Sequence, residues 1–346
     1  MIIRKKRAVP LICAIICLII MGGSMIAVAV LSGSLESQRV AQRWRNGEMR
    51  YSQVSVFLPD EAGLSHTATA QLRQSVDNYL AAESIKAPNQ NARIWIYAFS
   101  GETTVSVSKN TEAVQARAIC TGGDFFTFHP VDMASGWYYS DKDIMDDGVI
   151  IDRALAWRLY GGYDLTGLSV RIGGYPCKIA GVSNTPERRS ENDSYGTEPT
   201  VYVPFSLMQK IGQAPNVTCY EAVLPDPVGG FALKTIESAI PYNDGDFEII
   251  ENSRRFSPKS NFANIGAYAR RTQRTNSVFY PWWENSARYL ENFAALFTLL
   301  AVISAIYPAA LLITLILRLF RRRKTIFRAL ARMMSQLLVS RRLNEK

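Results

Sequence analysis

The chain has 346 residues, with 39 Lys and Arg against 30 Asp and Glu and a formal charge of +9. The four basic residues at 4–7 and the ten from Arg318 onward, against Glu345 alone, exceed that net charge, so the long stretch between them is acidic, which argues against nucleic-acid binding. Two histidines and five cysteines, with no pair at metal-ligand spacing, argue against a metal site.

Residues 1–7 form a basic tail, and Ala8–Leu31 follows without a charge. A run of 24 such residues is long enough to cross a bilayer and longer than a signal-peptide core, so residues 8–31 read as an uncleaved transmembrane helix. Cleavage after Ala27-Val28-Ala29 is the competing reading. Leu35–Arg45 is expected to continue this helix outward as a stalk.

Tyr51–Leu58 alternates, with Val54, Val56 and Leu58 on one face, and predicts a strand. Ser65 or Thr67 is placed to cap a helix whose apolar positions Ala68, Leu72, Val76 and Leu80 have helical spacing. Arg93–Phe99 predicts a strand that turns at Gly101-Glu102 into Thr103–Ser108. Ala113–Ile119 predicts another strand, leading into Thr121–Pro130. Gly148–Ile151 reads as a short strand, and Asp152 as the cap of a helix over Arg153–Tyr160 that Gly161-Gly162 ends. Leu168–Ile172 and Tyr175–Val182 alternate about Gly173-Gly174, which predicts a two-residue hairpin turn. Thr185–Pro199 is poor in apolar residues and reads as a loop. Thr200–Pro204 is a strand and Phe205–Ile211 a short helix. Val217–Leu224, Gly230–Ile240 and Asp246–Glu251 then repeat the order strand, helix, strand. Trp282, Trp283 and Tyr289 are expected in an interfacial aromatic belt.

Phe293–Leu317 is a second uncharged run, of 25 residues. As a helix it is about 37 Å long and spans a bilayer with some tilt. Pro308 is expected to kink it near Ser304. Residues 289–318 thus read as the second transmembrane helix. Arg321, Arg322, Arg323 and Lys324 follow, and such clusters stay on the cytoplasmic side. In the tail 319–346, Ile326, Phe327 and Leu330 share one face of an amphipathic helix suited to anionic lipid or to a partner subunit. Both termini are therefore expected in the cytoplasm of a cell-membrane protein, with residues 32–288 outside. The fold expected is an α+β extracytoplasmic domain held by two transmembrane helices. It consists of a split β-α-β lobe with an inserted β-rich lobe at about 122–212.

No GxxxxGK[ST], GxSxG or HExxH run occurs, so neither a phosphate cradle nor a hydrolytic site is legible. The aspartates at 141, 143, 146 and 147 lack the glycine and terminal glutamate of an EF-hand loop and read as a solvated turn. His66 and His129 look isolated. Cys120, Cys177 and Cys219 lie in the outside segment, where at most one disulfide joins them.

The order Gly123-Asp124-Phe125-Phe126, Gly136, Gly148-Val149-Ile150-Ile151, Leu159-Tyr160-Gly161, Gly167, Ile179-Ala180-Gly181-Val182 and Tyr202-Val203-Pro204-Phe205 resembles the extracytoplasmic core domain of MacB-type ABC permeases. The basic segment and the short helix after the second span resemble the start of the FtsX-like permease region, in which four spans are usual and this sequence carries two. The resemblance implies a non-enzymatic membrane subunit of an ABC transport system, relaying ATP-driven motion to the outer domain. It also implies that a separate ATPase subunit binds the ATP, so the chain itself holds no cofactor, and that a second permease chain or a homo-oligomer supplies further spans. A two-span adaptor or sensor that binds a ligand outside is the alternative.

Overall fold

A computed structural model describes residues 2–344 apart from 46–48, 62, 88, 90–91, 141–142, 144, 242–246 and 273–277. Side chains are described from 9 to 321, less those gaps and 268–272. The chain divides into two units, one comprising Met1–Ala29 with Ala295–Lys346 and the other Val30–Ala294.

The first unit contains the two apolar runs. Helix α1, Ile2–Ser34, holds one, and the last helix, Trp282–Asn344, holds the other; both are long and apolar enough to cross a membrane. Their large apolar side chains are mostly exposed, Ile19, Ile26, Ile306 and Phe320 among them, while the small Ala14, Ser24, Ala301 and Ser304 are buried. That is the surface of a helix whose solvent is lipid. The last helix runs through Pro308. The Ser304 hydroxyl, one turn before Pro308, donates to the Leu300 carbonyl at 2.6 Å.

In the second unit the predicted stalk is broken. Helix α1 ends at Ser34, Leu35 is extended, and a 3-10 turn at Glu36–Gln38 leads into the short helix α2, Val40–Trp44. Leu35 turns inward against Ala287 and Leu290, and burying it is worth more than one more helical turn in water.

Strand β1, Tyr51–Phe57, is followed by α3, His66–Ala82, with the Ser65 hydroxyl accepting the Ala68 N–H at its N-terminus. Strand β2, Ile96–Lys109, runs through Gly101 without turning. The expected turn there is wrong: a Cβ at Gly101 would lie 2.1 Å from the Asn216 carbonyl, so this glycine makes room for a crossing backbone. The reversal falls instead at Asn110-Thr111, and β3, Glu112–Gly123, pairs back along the long strand from Lys109 to Ala98. Then come α4 (Phe125–Phe128), β4 (Met133–Gly136) and β5 (Gly148–Asp152). Asp152 caps α5, Arg153–Tyr160, and Gly161 ends it in the left-handed conformation. Strands β6, Ser169–Ile172, and β7, Tyr175–Ser183, form the predicted hairpin, with φ of 56° and 85° at Gly173 and Gly174. The expected loop at 185–199 contains a helix, α6, Arg189–Tyr195, anchored by one buried aromatic, Tyr195. Strand β8 (Thr200–Pro204), α7 (Phe205–Ile211), β9 (Cys219–Pro225), α8 (Phe231–Ala239) and β10 (Glu248–Glu251) follow as predicted. A 3-10 turn at Asn252–Arg254 and α9, Pro258–Thr272, precede the last helix, here α10.

Among the described residues ten strands share one sheet, in the order β10-β1-β9-β2-β3-β8-β5-β7-β4, with β6 pairing β2 and β7. One face carries the larger apolar core, where Val54, Val56 and Leu58 meet Leu72, Val76 and Ile236 of α3 and α8 and Leu155 and Leu207 of α5 and α7. The other face packs Phe57, Ile96, Ile119 and Tyr202 against Phe125, Phe128 and Trp283. The region read as an inserted lobe is continuous with the rest through β2 and β3. Cys120, Cys177 and Cys219 are buried, and burial pushes the Cys177 thiol up to about 12.

Candidate coupling site

In the second unit, the segments at its two ends, the connector Leu35–Trp44 and the first turns of α10, are held by one buried ionic cluster. Arg255, which follows the turn after β10, is 3% exposed. It donates to both oxygens of Glu284, at 2.7 and 2.6 Å, to Glu291 at 2.7 Å, and to the side-chain carbonyl of Gln38 at 3.1 Å. Glu284, Arg288 and Glu291 fall at spacings of four and three on α10, so the helical repeat puts them on one face. Arg288 donates to Glu284 at 2.8 Å and to Glu248 of β10, and its guanidinium lies 3.8 Å from the centre of the Tyr280 ring. The Tyr280 hydroxyl donates to Glu248 as well.

Burial alone would lower the basicity of Arg255, but Glu284 and Glu291 more than offset it and hold the guanidinium above its ordinary range. Arg288 is raised by the same balance against Glu284 and Glu248. Both guanidiniums therefore stay charged at any physiological pH. Its bidentate geometry fixes the entry of α10 in angle as well as in position.

Strand β1 holds the connector from below. The Gln53 side chain accepts the Val40 N–H at 3.1 Å and donates to the Ser37 carbonyl at 2.6 Å, and the Gln53 backbone N–H donates to the Ser253 hydroxyl at 3.0 Å. Two residues on, Ser55 donates to Glu221 at 2.6 Å and accepts from Asn252 at 2.6 Å. The other oxygen of Glu221 bonds His129 Nε2. His129 is thus a buried, paired histidine and not an isolated one. Glu221 stands between serine and imidazole, so the imidazole does not reach the hydroxyl and the order is not that of a serine–histidine pair. Trp283 packs on the His129 ring, with centroids 4.2 Å apart, and edge-on to Phe125. Trp282 meets Tyr195 edge-on. The expected aromatic belt is corrected for these two residues: they lock α10 to the domain's second apolar face, whereas Tyr289 is exposed.

The residues that carried the family resemblance build the fold around this region. Phe125 is buried under Trp283, and Phe126 stacks on Tyr138 at 4.5 Å. Gly123 ends β3 and Gly161 ends α5. Gly136 has φ of 75°, and a Cβ there would meet the Ala180 carbonyl at 2.2 Å, so β4 can reach β7 only with glycine. Gly181 and Val182 lie in β7, the Gly167 N–H bonds the Ile179 carbonyl, and Pro204 joins β8 to α7. Arg321 is exposed on α10. Arg322, Arg323, Lys324, Ile326, Phe327 and Leu330 belong to the same helix, and their side chains lie outside the described residues. Among the described residues no three His, Cys, Asp or Glu come together as metal ligands. Gln38, Arg255, Glu284 and Glu291 went unnoticed in the sequence; charged residues at 284, 288 and 291, ahead of an apolar run, were the available signal.

Two apolar helices and an α+β domain on one mixed sheet define a membrane-anchored extracytoplasmic domain. The model of the MacB-like periplasmic core domain matches residues 12–237, well over half of the chain, and the chain belongs to that family. Among solved structures, the extracellular domain of the noncanonic ABC-type transporter YknZ from Gram-positive bacteria overlaps 57% of this chain and 100% of its own, at 13% identity and a TM-score of 0.38. The periplasmic region of MacB from Actinobacillus actinomycetemcomitans overlaps 58% of this chain and 89% of its own, at 12% identity and 0.40. A domain of a putative permease protein from Porphyromonas gingivalis gives the same coverages and identity, with a TM-score of 0.33. Membership rests on the family match, and these structural overlaps carry no argument. No curated protein matches the chain.

Proposed function

We propose that this chain is a membrane subunit of an ABC transport system of the MacB/FtsX-like permease type, and that it relays ATP-driven motion from a separate ATPase to its extracytoplasmic domain. The observation that carries this reading is the buried Arg255 cluster. It makes the connector, the end of the sheet and the start of α10 one rigid joint, through which a displacement of a span would reach the domain. The family assignment supplies the transport context, because MacB-like domains belong to permeases of ABC transporters. Both termini lie in the cytoplasm, where Arg321, Arg322, Arg323 and Lys324, with Ile326, Phe327 and Leu330, contact the ATPase or the anionic inner leaflet. The nucleotide is the ATPase's ligand; this chain needs no cofactor of its own. A path for substrate is lined by these spans together with those of a second permease chain or another copy.

Purification of the full chain in mild detergent, followed by mass spectrometry, tests this. An ATPase subunit is expected to co-purify, and truncation before Arg321 to reduce its recovery. Recovery of the intact chain with neither ATPase nor permease partner, and a tail that binds only anionic vesicles, would overturn the proposal.

A further inference from the structure

A cleft of about 460 Å³ opens beside the second apolar face of the domain, between the connector, the segment after α4 and the segment that leads into α6. Three features of its lining point the same way. The first is charge. Glu36, Asp132, Glu187 and Glu191 line the cleft, against Arg188 as the one basic side chain other than His129. Arg188 stands 3.8 Å from Glu191, and Arg43 stands 3.5 Å from Glu36, so each pairing is loose. Burial raises the Glu191 carboxyl; Arg188 lowers it and Glu36, a like charge, raises it further. The second is the indole wall of Trp282 and Trp283, whose π faces attract cations. The third is unmet hydrogen-bonding capacity. His129 lines the cleft and is 3% exposed, and its Nδ1 has no hydrogen-bond partner among the described residues. The tautomer that donates from Nε2 to Glu221 leaves Nδ1 as an acceptor that suits an N–H donor.

We propose that this cleft is a binding site for an organic primary ammonium on an apolar body. Its carboxylates neutralise the cation, the imidazole nitrogen accepts one of its N–H bonds, and the indoles cover the apolar part. A metal ion does not fit this lining, since no three ligating side chains converge among the described residues. The volume is in the range of small-molecule sites and exceeds what one ammonium fills. The ammonium can come from a soluble amine or from an aminolipid headgroup, and the two sources share this chemistry. The inference does not depend on the ATPase partnership.

The test is isothermal titration of the full chain, in uncharged maltoside micelles, with 2-phenylethylammonium and with its neutral isostere 2-phenylethanol. Saturable binding is expected for the amine, at least tenfold tighter than for the alcohol. Glu191→Gln and Glu36→Gln are each expected to weaken it threefold or more, and Trp282→Ala to weaken it similarly. Asp193→Asn, on the outer side of α6 with a side chain 68% exposed, is expected to leave it unchanged and controls for folding and for general charge. Added phosphatidylethanolamine that competes with the amine, where phosphatidylglycerol does not, assigns the site to a lipid headgroup; no competition assigns it to a soluble amine. Equal binding of amine and alcohol, or Glu191→Gln and Asp193→Asn behaving alike, overturns the proposal.

Discussion

Replacing Arg255 by Met keeps much of the side chain's length and removes its charge. The substitution deletes four hydrogen bonds and leaves Glu284 and Glu291 buried without their shared cation. Breaking a buried ion pair from one side costs about 3–5 kcal/mol. Arg288 still donates to Glu284 at 2.8 Å, which places the expected loss near the lower end, at about 3 kcal/mol. For a domain of this size each kcal/mol moves the midpoint by roughly 2–4 °C, so a drop of about 6–12 °C is expected. Differential scanning fluorimetry of the tryptophans in detergent reads it directly, because Trp283 lies in the neighbouring apolar cluster. The triple variant Arg255→Met, Glu284→Met, Glu291→Leu removes the stranded charges and is expected to recover at least half of the loss. A single variant that melts within 2 °C of the parent would refute the reasoning, and so would a triple variant no better than the single.

Three further outcomes are expected. Asp193→Cys should react with a membrane-impermeant maleimide on intact cells, and reaction only after permeabilisation would reverse the topology. Gly173→Val should destabilise the domain by about 1–3 kcal/mol: φ is 56° there, and the new Cβ would lie 2.9 Å from Gln213 Oε1 and 3.1 Å from Ile211 Cγ2. An unchanged melting temperature rejects that. Burial raises the Glu102 carboxyl to about 7, with Arg117 opposing and Glu198 reinforcing. The folded state therefore holds this proton more tightly than the unfolded chain does, and stability falls as pH rises from about 4.5 to about 7. Glu102→Gln should gain on the order of 2–3 kcal/mol over the parent at pH 8 and little at pH 4, and parallel pH profiles would exclude the effect.

Local chemistry made much of this fold legible. Asp152 caps α5 and Gly173-Gly174 turns its hairpin because the residues that form each device are neighbours in sequence. The two spans were legible for the same reason. What escaped is long-range. Arg255 and Gln38 are 217 residues apart, and His129 and Glu221 are 92 apart, and nothing periodic links either pair. Trp283 reads from the sequence as an interfacial residue because indoles beside an apolar run serve equally well there and in a core; only the presence of Phe125 and His129 decides between them. Gly101 was misread because a glycine that yields space to a distant backbone looks the same as one that turns.

Strand β2 is paired by β3 from Ala98 to Lys109 on one side, and on the other by β9 over Ile96–Ser100 and by β6 at Val107 and Ser108. The long ladder between β2 and β3 ties the two halves of the sheet together. Bending the domain between its halves would require rupturing several ladder bonds together, so thermal motion and pulling forces alike act on the domain as one stiff plate. Any stroke delivered to it emerges at the far end as tilt, with its amplitude scaled by the plate's length. The amides that bond across the ladder between β2 and β3 are accordingly expected to be among the last to exchange in deuterated solvent.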